Sequence, residues 1–412
     1  LKSGEKPKEL PSSWQVKSVD ENKFTFKPIA PDDIQEPMTK QERKEAKLKA
    51  KEEAKQQKVE TWCKQQQAMP HSLRHTYRIQ FINVNTTNML KADEILKLVN
   101  DYLDNMPYDR KPSSLYEPIR YVLSMGGKRI RPVLMLLAYN MFSEHPEDIL
   151  MPACALETYH NYTLLHDDLM DNADLRRGHE TVHRKWDANT AILSGDSMLV
   201  LAYQRMAQCD KDKMPEVLNI FTETALEIGE GQQYDMDFEH RNDVTEEEYI
   251  EMIRLKTSVL LACALKIGAV LAGATNEDAD NLYRFGEQIG LAFQLQDDYL
   301  DVYGDTRVFG KAIGGDITSN KKTYMLINAL ARANDEQRAE LEKWISATEF
   351  DREEKISAVT RLYNEIGIDK LAQEKINFYF KQSRKYLEAI SIEENRKAEL
   401  TAYAQRMMKR EY

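Results

Sequence analysis

Ser258-Val-Leu-Leu-Ala-Cys-Ala-Leu-Lys-Ile-Gly-Ala-Val-Leu-Ala-Gly-Ala274 decides the fold. It is apolar on nearly every side, the pattern of a helix buried all round rather than one with a wet face. It is still shorter than the ~20 apolar residues of a membrane span, and no run in the chain approaches that length. Upstream, Met89–Met106 sets Leu90, Ile95, Leu98, Val99, Tyr102 and Leu103 at spacings of three and four, one face of an amphipathic helix. Downstream, no proline occurs in the 197 residues after Pro215. Period-two alternation is scarce, and no repeat of 20–50 residues is apparent. The expectation is an all-α fold: a single large helical domain over residues 89–412, with some helices wholly interior.

The composition agrees. A chain of 412 residues, 42% hydrophobic and 30% charged, can bury a sizeable core and is not wholly disordered. Residues 1–88 stand apart, with 17 Lys/Arg against 12 Asp/Glu, six prolines and one glycine. They read as an N-terminal extension or linker, charged and partly helical or disordered, with residues 39–58 a solvated charged helix. Residues 89–412 hold 40 Lys/Arg against 56 Asp/Glu, a balance that repels nucleic acid. Cys63, Cys154, Cys209 and Cys263 are too widely spaced for a disulfide framework or a CxxC metal clip. The opening Leu1-Lys-Ser-Gly-Glu has no apolar stretch of the secretory kind, so a reducing, cytoplasmic setting is expected.

Two acidic clusters carry the chemistry. In His166-Asp-Asp-Leu-Met-Asp171, Asp167 and Asp171 are four apart and project from one helix face, with Asp168 beside them. Flanking leucines imply burial, which makes their mutual repulsion costly unless something positive neutralises it. Divalent cations with oxygen ligands are the obvious candidates, and Mg²⁺ commonly takes one or two carboxylates plus substrate phosphates. The pattern returns 130 residues later in Phe293-Gln-Leu-Gln-Asp-Asp-Tyr-Leu-Asp301, with Asp297, Asp298 and Asp301. One copy is what any acidic surface helix can produce by chance. Two copies on apolar helices point to carboxylate walls facing each other across a pocket.

Basic segments surround these acids. Gly126-Gly-Lys-Arg-Ile-Arg-Pro132 places three cations at a helix start, where glycines let the backbone approach an anion. Arg176-Arg177-Gly178 closes the first acidic helix; by itself it reads equally well as cations complementing the helix dipole. Gly310–Thr323 is a glycine-rich basic loop, or an ordinary surface turn. Lys256-Thr257 interrupts an apolar helix, where a lysine either pairs or snorkels to water. His166 reads as a satisfied core histidine, and Cys154, Cys209 and Cys263 as small buried apolar residues.

Together GGKRIRP, HDDLMDNADLRRG, KTS, FQLQDDYLD and GKAIGGDITSNKKT resemble the trans-isoprenyl diphosphate synthases, or polyprenyl synthetases, of farnesyl and geranylgeranyl type. The resemblance spans about residues 89–412 and keeps all five motifs in order. It implies helices around a central catalytic cavity, a homodimer, and Mg²⁺-dependent head-to-tail joining of isopentenyl diphosphate to an allylic diphosphate. It further implies that Asp167, Asp171 and Asp297 ligate Mg²⁺, with Asp168, Asp298 and Asp301 in support. Lys128, Arg131, His160 and Arg177 would hold isopentenyl diphosphate, and Arg176, Lys256, Lys311 and Lys321 the allylic diphosphate. Thr257 and Gln294 would lie beside the developing allylic cation.

In that family, bulk upstream of the first DDxxD stops the growing chain. Tyr162 is the fifth residue before Asp167 and Thr163 the fourth, so the expected floor is Tyr162 with Thr163, and C20 is favoured with C15 next. A class I terpene cyclase would need neither GGKRIRP nor a second DDxxD. A non-catalytic subunit typically loses part of the acidic motifs, and a merely structural helical protein would not bind Mg²⁺ with diphosphate.

Overall fold

The computed structural model describes residues 89–304 and 313–409, together with the backbone of two strands, β1 (Trp14–Asp20) and β2 (Lys23–Pro28). These pair antiparallel, Trp14 opposite Pro28 and Asp20 opposite Lys23. The charged run 39–58 and Cys63 lie outside the described residues.

From Ala92 onward the chain is helical. In order come α1 (Ala92–Asp104), α2 (Ser113–Ser124), α3 (Ile130–Phe142) and α4 (Leu150–Met170). A two-residue hairpin, β3 (Leu175–Arg176) and β4 (His179–Glu180), precedes α5 (Val182–Lys185), α6 (Ala188–Met206), α7 (Met214–Glu239) and α8 (Glu246–Ile253). A π-helical turn, Arg254–Ser258, joins α8 to α9 (Val259–Leu271). Then follow α10 (Asn276–Tyr303), α11 (Gly315–Thr318), α12 (Tyr324–Arg332) and α13 (Asp335–Ser346). The last three are α14 (Arg352–Ile366), α15 (Ile368–Glu388) and α16 (Glu394–Lys409).

The all-apolar segment behaves as its sequence demands. α9 is buried along its length except at Lys266 and Leu271, and Lys266 reaches Asp280 at 2.7 Å. It packs against α3, α7 and α10, while α10 also lies along α15 and α4 along α6. α1 turns Ile95, Val99, Tyr102 and Leu103 inward, the face its periodicity marked. Side-chain caps fix helix starts: Thr275 accepts from the Asp278 amide, and Thr245 forms a capping box with Glu248. Among the described residues no helix is long and apolar enough to cross a membrane.

One of the three cations of the GGKRIRP motif is absorbed by the fold. Arg129, in a left-handed conformation ahead of α3, points inward to Glu157 at 2.8 Å and to the Leu123 carbonyl at 2.6 Å. Both charged side chains are only 2% exposed. Of the three cations at this helix start, Arg129 is a buried strut, while Lys128 and Arg131 line the cavity described below. A lone buried charge is expensive, so removing either partner is far costlier than the pair is stabilising.

Candidate active site

The N-terminal end of α3, then α4, α7, the π turn and α10 enclose a cavity of about 1290 Å³. Lys128, Arg131, His160, Tyr162, Thr163, Asp167, Arg176, Arg177, Lys256, Thr257, Gln294 and Asp297 all line it. Asp168, Asp171, Asp298, Asp301 and Lys321 stand outside this lining, and Lys311 lies outside the described residues.

Asp167 sits in the last turn of α4, and Asp171 caps that helix, its amide donating to the Asp167 carbonyl at 2.8 Å. Burial raises the Asp167 carboxyl above the usual range; Lys256 and Arg176 pull it down, while Asp171 and Asp235 push it up. Asp297 enters the cavity from α10, so the two clusters do meet at one cavity. The neighbouring acids do other work. Asp168 accepts a bidentate grip from Arg176, at 2.5 Å from Nη2 and 3.0 Å from Nε. Asp298 accepts from Tyr249 Oη and from Gln294 Nε2, the latter at 3.0 Å. Its carboxyl is pushed up to about 7, by burial first and then by Asp316, against the hydrogen bonds from Tyr249 and Gln294. Asp301 Oδ2 accepts from the Asp316 amide at 2.9 Å.

Arg176 and Arg177 do not close the acidic helix. α4 ends six residues earlier, and the arginines sit on the β3–β4 hairpin, with Arg177 and Gly178 at its turn. That hairpin folds Arg177 back over the glycine segment, where its guanidinium donates to the Gly126 carbonyl. Lys256 likewise is not in the apolar helix but in the π turn, and it pairs with Asp235 at 2.7 Å instead of reaching for water. The turn is possible because α7 carries glycine where it crosses: a Cβ on Gly231 would strike the Lys256 backbone. Such π bulges lie frequently at functional sites, since they re-aim side chains within a helix. Here Thr257 donates to Gln294 Oε1 at 3.2 Å, starting a relay that runs through Gln294 to Asp298.

Electrostatics separates two regions. Around His160 the cations crowd each other. Burial and then Arg131, Arg177, Arg176 and Arg129 hold the imidazole well below the ordinary histidine range, so it is neutral at pH 7. Burial and Arg177 lower the Arg131 guanidinium to about 10, against the pull of Glu157, and its Nε is buried without an acceptor among the described residues. A polyanion would satisfy that nitrogen and relieve the repulsion. Near Lys256, opposite charges alternate: Asp235 is drawn below the carboxylate range, because Lys321 and Lys256 outweigh its burial.

Among the described residues no three His, Cys, Asp or Glu side chains come close enough to hold one ion alone. One or two carboxylates per ion, completed by substrate phosphate oxygens, is nonetheless the usual magnesium arrangement. Asp167 and Asp171, one turn apart and with no protein donor on their side chains among the described residues, fit it. Asp235, Tyr249 and Asp316 were not singled out in the sequence. Asp235 lies among Glu227, Glu230, Asp237 and Glu239, where nothing in the pattern separates it from a solvated face.

The wider comparison agrees with this architecture. The family model described as polyprenyl synthetase matches residues 112–364. A geranylgeranyl diphosphate synthase of Methanosarcina mazei is 41% identical over 57% of this chain and 73% of its own. A crystal structure of a geranylgeranyl pyrophosphate synthase superposes with a TM-score of 0.75 at 42% identity, covering 78% of this chain and 99% of the other. A geranylgeranyl pyrophosphate synthase of Corynebacterium glutamicum, complexed with isoprenyl diphosphate and magnesium, gives 0.70 at 27% identity, covering 78% and 100%.

Proposed function

The chain belongs to the polyprenyl synthetase family, and we propose that it joins isopentenyl diphosphate head to tail to an allylic diphosphate, releasing diphosphate and a short-chain trans-polyprenyl diphosphate, C20 in preference to C15. The observation that carries this reading is the single cavity lined at once by Arg131, His160 and Arg177, by Arg176 and Lys256, and by Asp167 and Asp297. Two substrates with two diphosphates need two cationic sites within reach of one another.

In this reading Lys128, Arg131, His160 and Arg177 seat isopentenyl diphosphate, and Arg131 Nε gains the acceptor it lacks among the described residues. Arg176, Lys256, Lys321 and Lys311 grip the allylic diphosphate. Mg²⁺, held by Asp167, Asp171 and Asp297, would neutralise the leaving diphosphate and template its departure. Asp168 and Asp298 act one step back, orienting Arg176 and Gln294. Because the Thr257 proton is committed to Gln294, its oxygen lone pairs remain for the developing cation. Leu260, Phe293 and Ile228 keep water from that carbocation. No base stands out among the described residues, which is compatible with the departing diphosphate taking the final proton.

A homodimer belongs to the same proposal. Leu193 and Val200 on α6 and Leu226 on α7 stand 59%, 66% and 65% exposed, apolar surface that a second copy would cover. A monomer in sedimentation at micromolar concentration would refute it. The reaction is tested by incubating the chain with Mg²⁺, isopentenyl diphosphate and, in turn, dimethylallyl, geranyl and farnesyl diphosphates. A dominant C20 product is expected. C15 would keep the enzyme and move the floor; no condensation with any primer would end the reading.

A further inference from the structure

Lys355 of α14 is almost wholly buried, 1% exposed, and no carboxylate pairs with it among the described residues. Burial alone pulls its ammonium below the ordinary lysine range. Its polar contact is Asn320 Oδ1 at 2.7 Å, and its cationic end lies 4.1 Å from the centre of the Phe350 ring. An unpaired ammonium in such a place is costly.

Asn320 holds a left-handed conformation, φ 55°, and its Nδ2 donates to the Ile345 carbonyl at 3.0 Å. Asn320 is followed directly by Lys321, which stands 4.0 Å from Asp235, the same carboxylate that Lys256 of the cavity wall grips. The rest of one α14 face holds the same segment. Arg352 donates to the Ile313 carbonyl at 2.8 Å, and the Ile356 side chain fills the space where Gly314, φ 79°, has no Cβ. Arg352, Lys355 and Ile356 are spaced three and four apart, as one face of a helix requires. From the opposite side, Asp301 accepts from the Gly314 amide through its carbonyl and from the Asp316 amide through its carboxylate. The segment Ile313–Lys321 is therefore clamped between α14 and the end of the second acidic cluster.

We propose that Lys355 is a positioning residue for diphosphate binding: by fixing Asn320 in its left-handed turn, it sets where Lys321 stands beside Asp235. The proposal rests on the reading of Lys321 as an allylic diphosphate ligand. It assigns the grip on one substrate, and not the other, to a residue that touches neither. Isopentenyl diphosphate, seated by Arg131, His160 and Arg177, is untouched by the clamp.

Two variants approach the contact from its two ends. Lys355→Met keeps the buried stem and removes the donor; Asn320→Gly keeps the left-handed backbone and removes the acceptor. Steady-state kinetics of the full chain should show the KM for the allylic diphosphate raised about tenfold in each, with that for isopentenyl diphosphate within twofold. The double variant should be no worse than the worse single one, as for two ends of one contact. A lowered Tm with both KM values unchanged, or both raised equally, would overturn the proposal in favour of a purely structural lysine. If Lys355→Met does not fold, Asn320→Gly decides alone. Lys321→Ala separates the two levels: if it leaves the allylic KM unchanged, the reading of Lys321 falls. If it raises that KM while Lys355→Met and Asn320→Gly do nothing, only the role of Lys355 falls.

Discussion

Tyr162 stands five residues before Asp167, about 7.5 Å back along α4 at the α-helical rise. It lines the cavity and is wedged between aromatic neighbours, edge-on to His166 at 4.9 Å and tilted against Tyr159 at 5.4 Å. Tyr159 in turn meets Phe221 edge-on at 5.2 Å. Thr163, the other residue read as part of the floor, lines the cavity but commits its hydroxyl to the His160 carbonyl of its own helix at 2.8 Å. In the proposed reading the floor is the Tyr162 ring, with Tyr159, which also lines the cavity, packed beside it and backed by Phe221. Tyr162→Ala should open that floor and meet Tyr159, lengthening the main product by one or two isoprene units from C20. Chromatography of the dephosphorylated products reads this directly, and an unchanged length would mean that Tyr162 is not the floor. The sequence pointed to Tyr162 through its distance from the acids. It could not point to Tyr159, because the ring that backs it, Phe221, comes from α7, 62 residues away.

At the scale of elements, the π turn between α8 and α9 has the least sequence signal and the most consequence. Lys256 in an apolar stretch was legible as an anomaly; the wider turn that re-aims it was not, because one extra residue in a helical turn leaves no periodicity of its own. Packing creates it. Outside, Arg254 is held by Glu251 at 2.8 Å, Glu287 at 3.2 Å and Glu227 at 3.4 Å. Inside, Lys256 meets Asp235, and Gly231 lets α7 lie on the turn's backbone. α9 and α10 were legible for the opposite reason, since buried helices and repeated acids are patterns within one segment. Gly231→Ala should force α7 and the turn apart. Misplacing Lys256 and Thr257 by about 1 Å should lower kcat some 10²-fold, with a destabilisation of about 1–3 kcal/mol from overpacking. A kcat within twofold of the parent, measured beside a lowered Tm, would show that the turn matters to folding alone.

Across the whole molecule, charge is distributed against its own average. Residues 89–412 are strongly acidic, yet Arg131, His160, Arg176 and Arg177 converge, and burial together with that crowding depresses the basicity of Arg131 and His160. Two carboxylates a turn apart, Asp167 and Asp171, repel likewise near the other end of the site. The composition break near residue 88 was visible in the sequence, whereas the β1–β2 hairpin beyond it was not, its alternation at Lys23-Phe-Thr-Phe-Lys27 being only five residues long. The convergence of like charges could not be read either, because it depends on helices meeting. Its consequence is global: the unliganded fold carries repulsion that a bound metal–diphosphate complex would remove, and a ligand that binds only the native state stabilises it. At a hundredfold excess over Kd, that linkage is worth about 2.7 kcal/mol, which for a domain of this size is a rise in Tm of several degrees. Inorganic diphosphate with Mg²⁺ should produce it, Mg²⁺ alone should give much less, and chelation by EDTA should reverse most of the effect. If diphosphate gives the full rise without Mg²⁺, the acidic clusters are not where the metal acts. If neither arm moves Tm, the cationic cavity does not bind diphosphate, and the repulsion built into it has some other purpose.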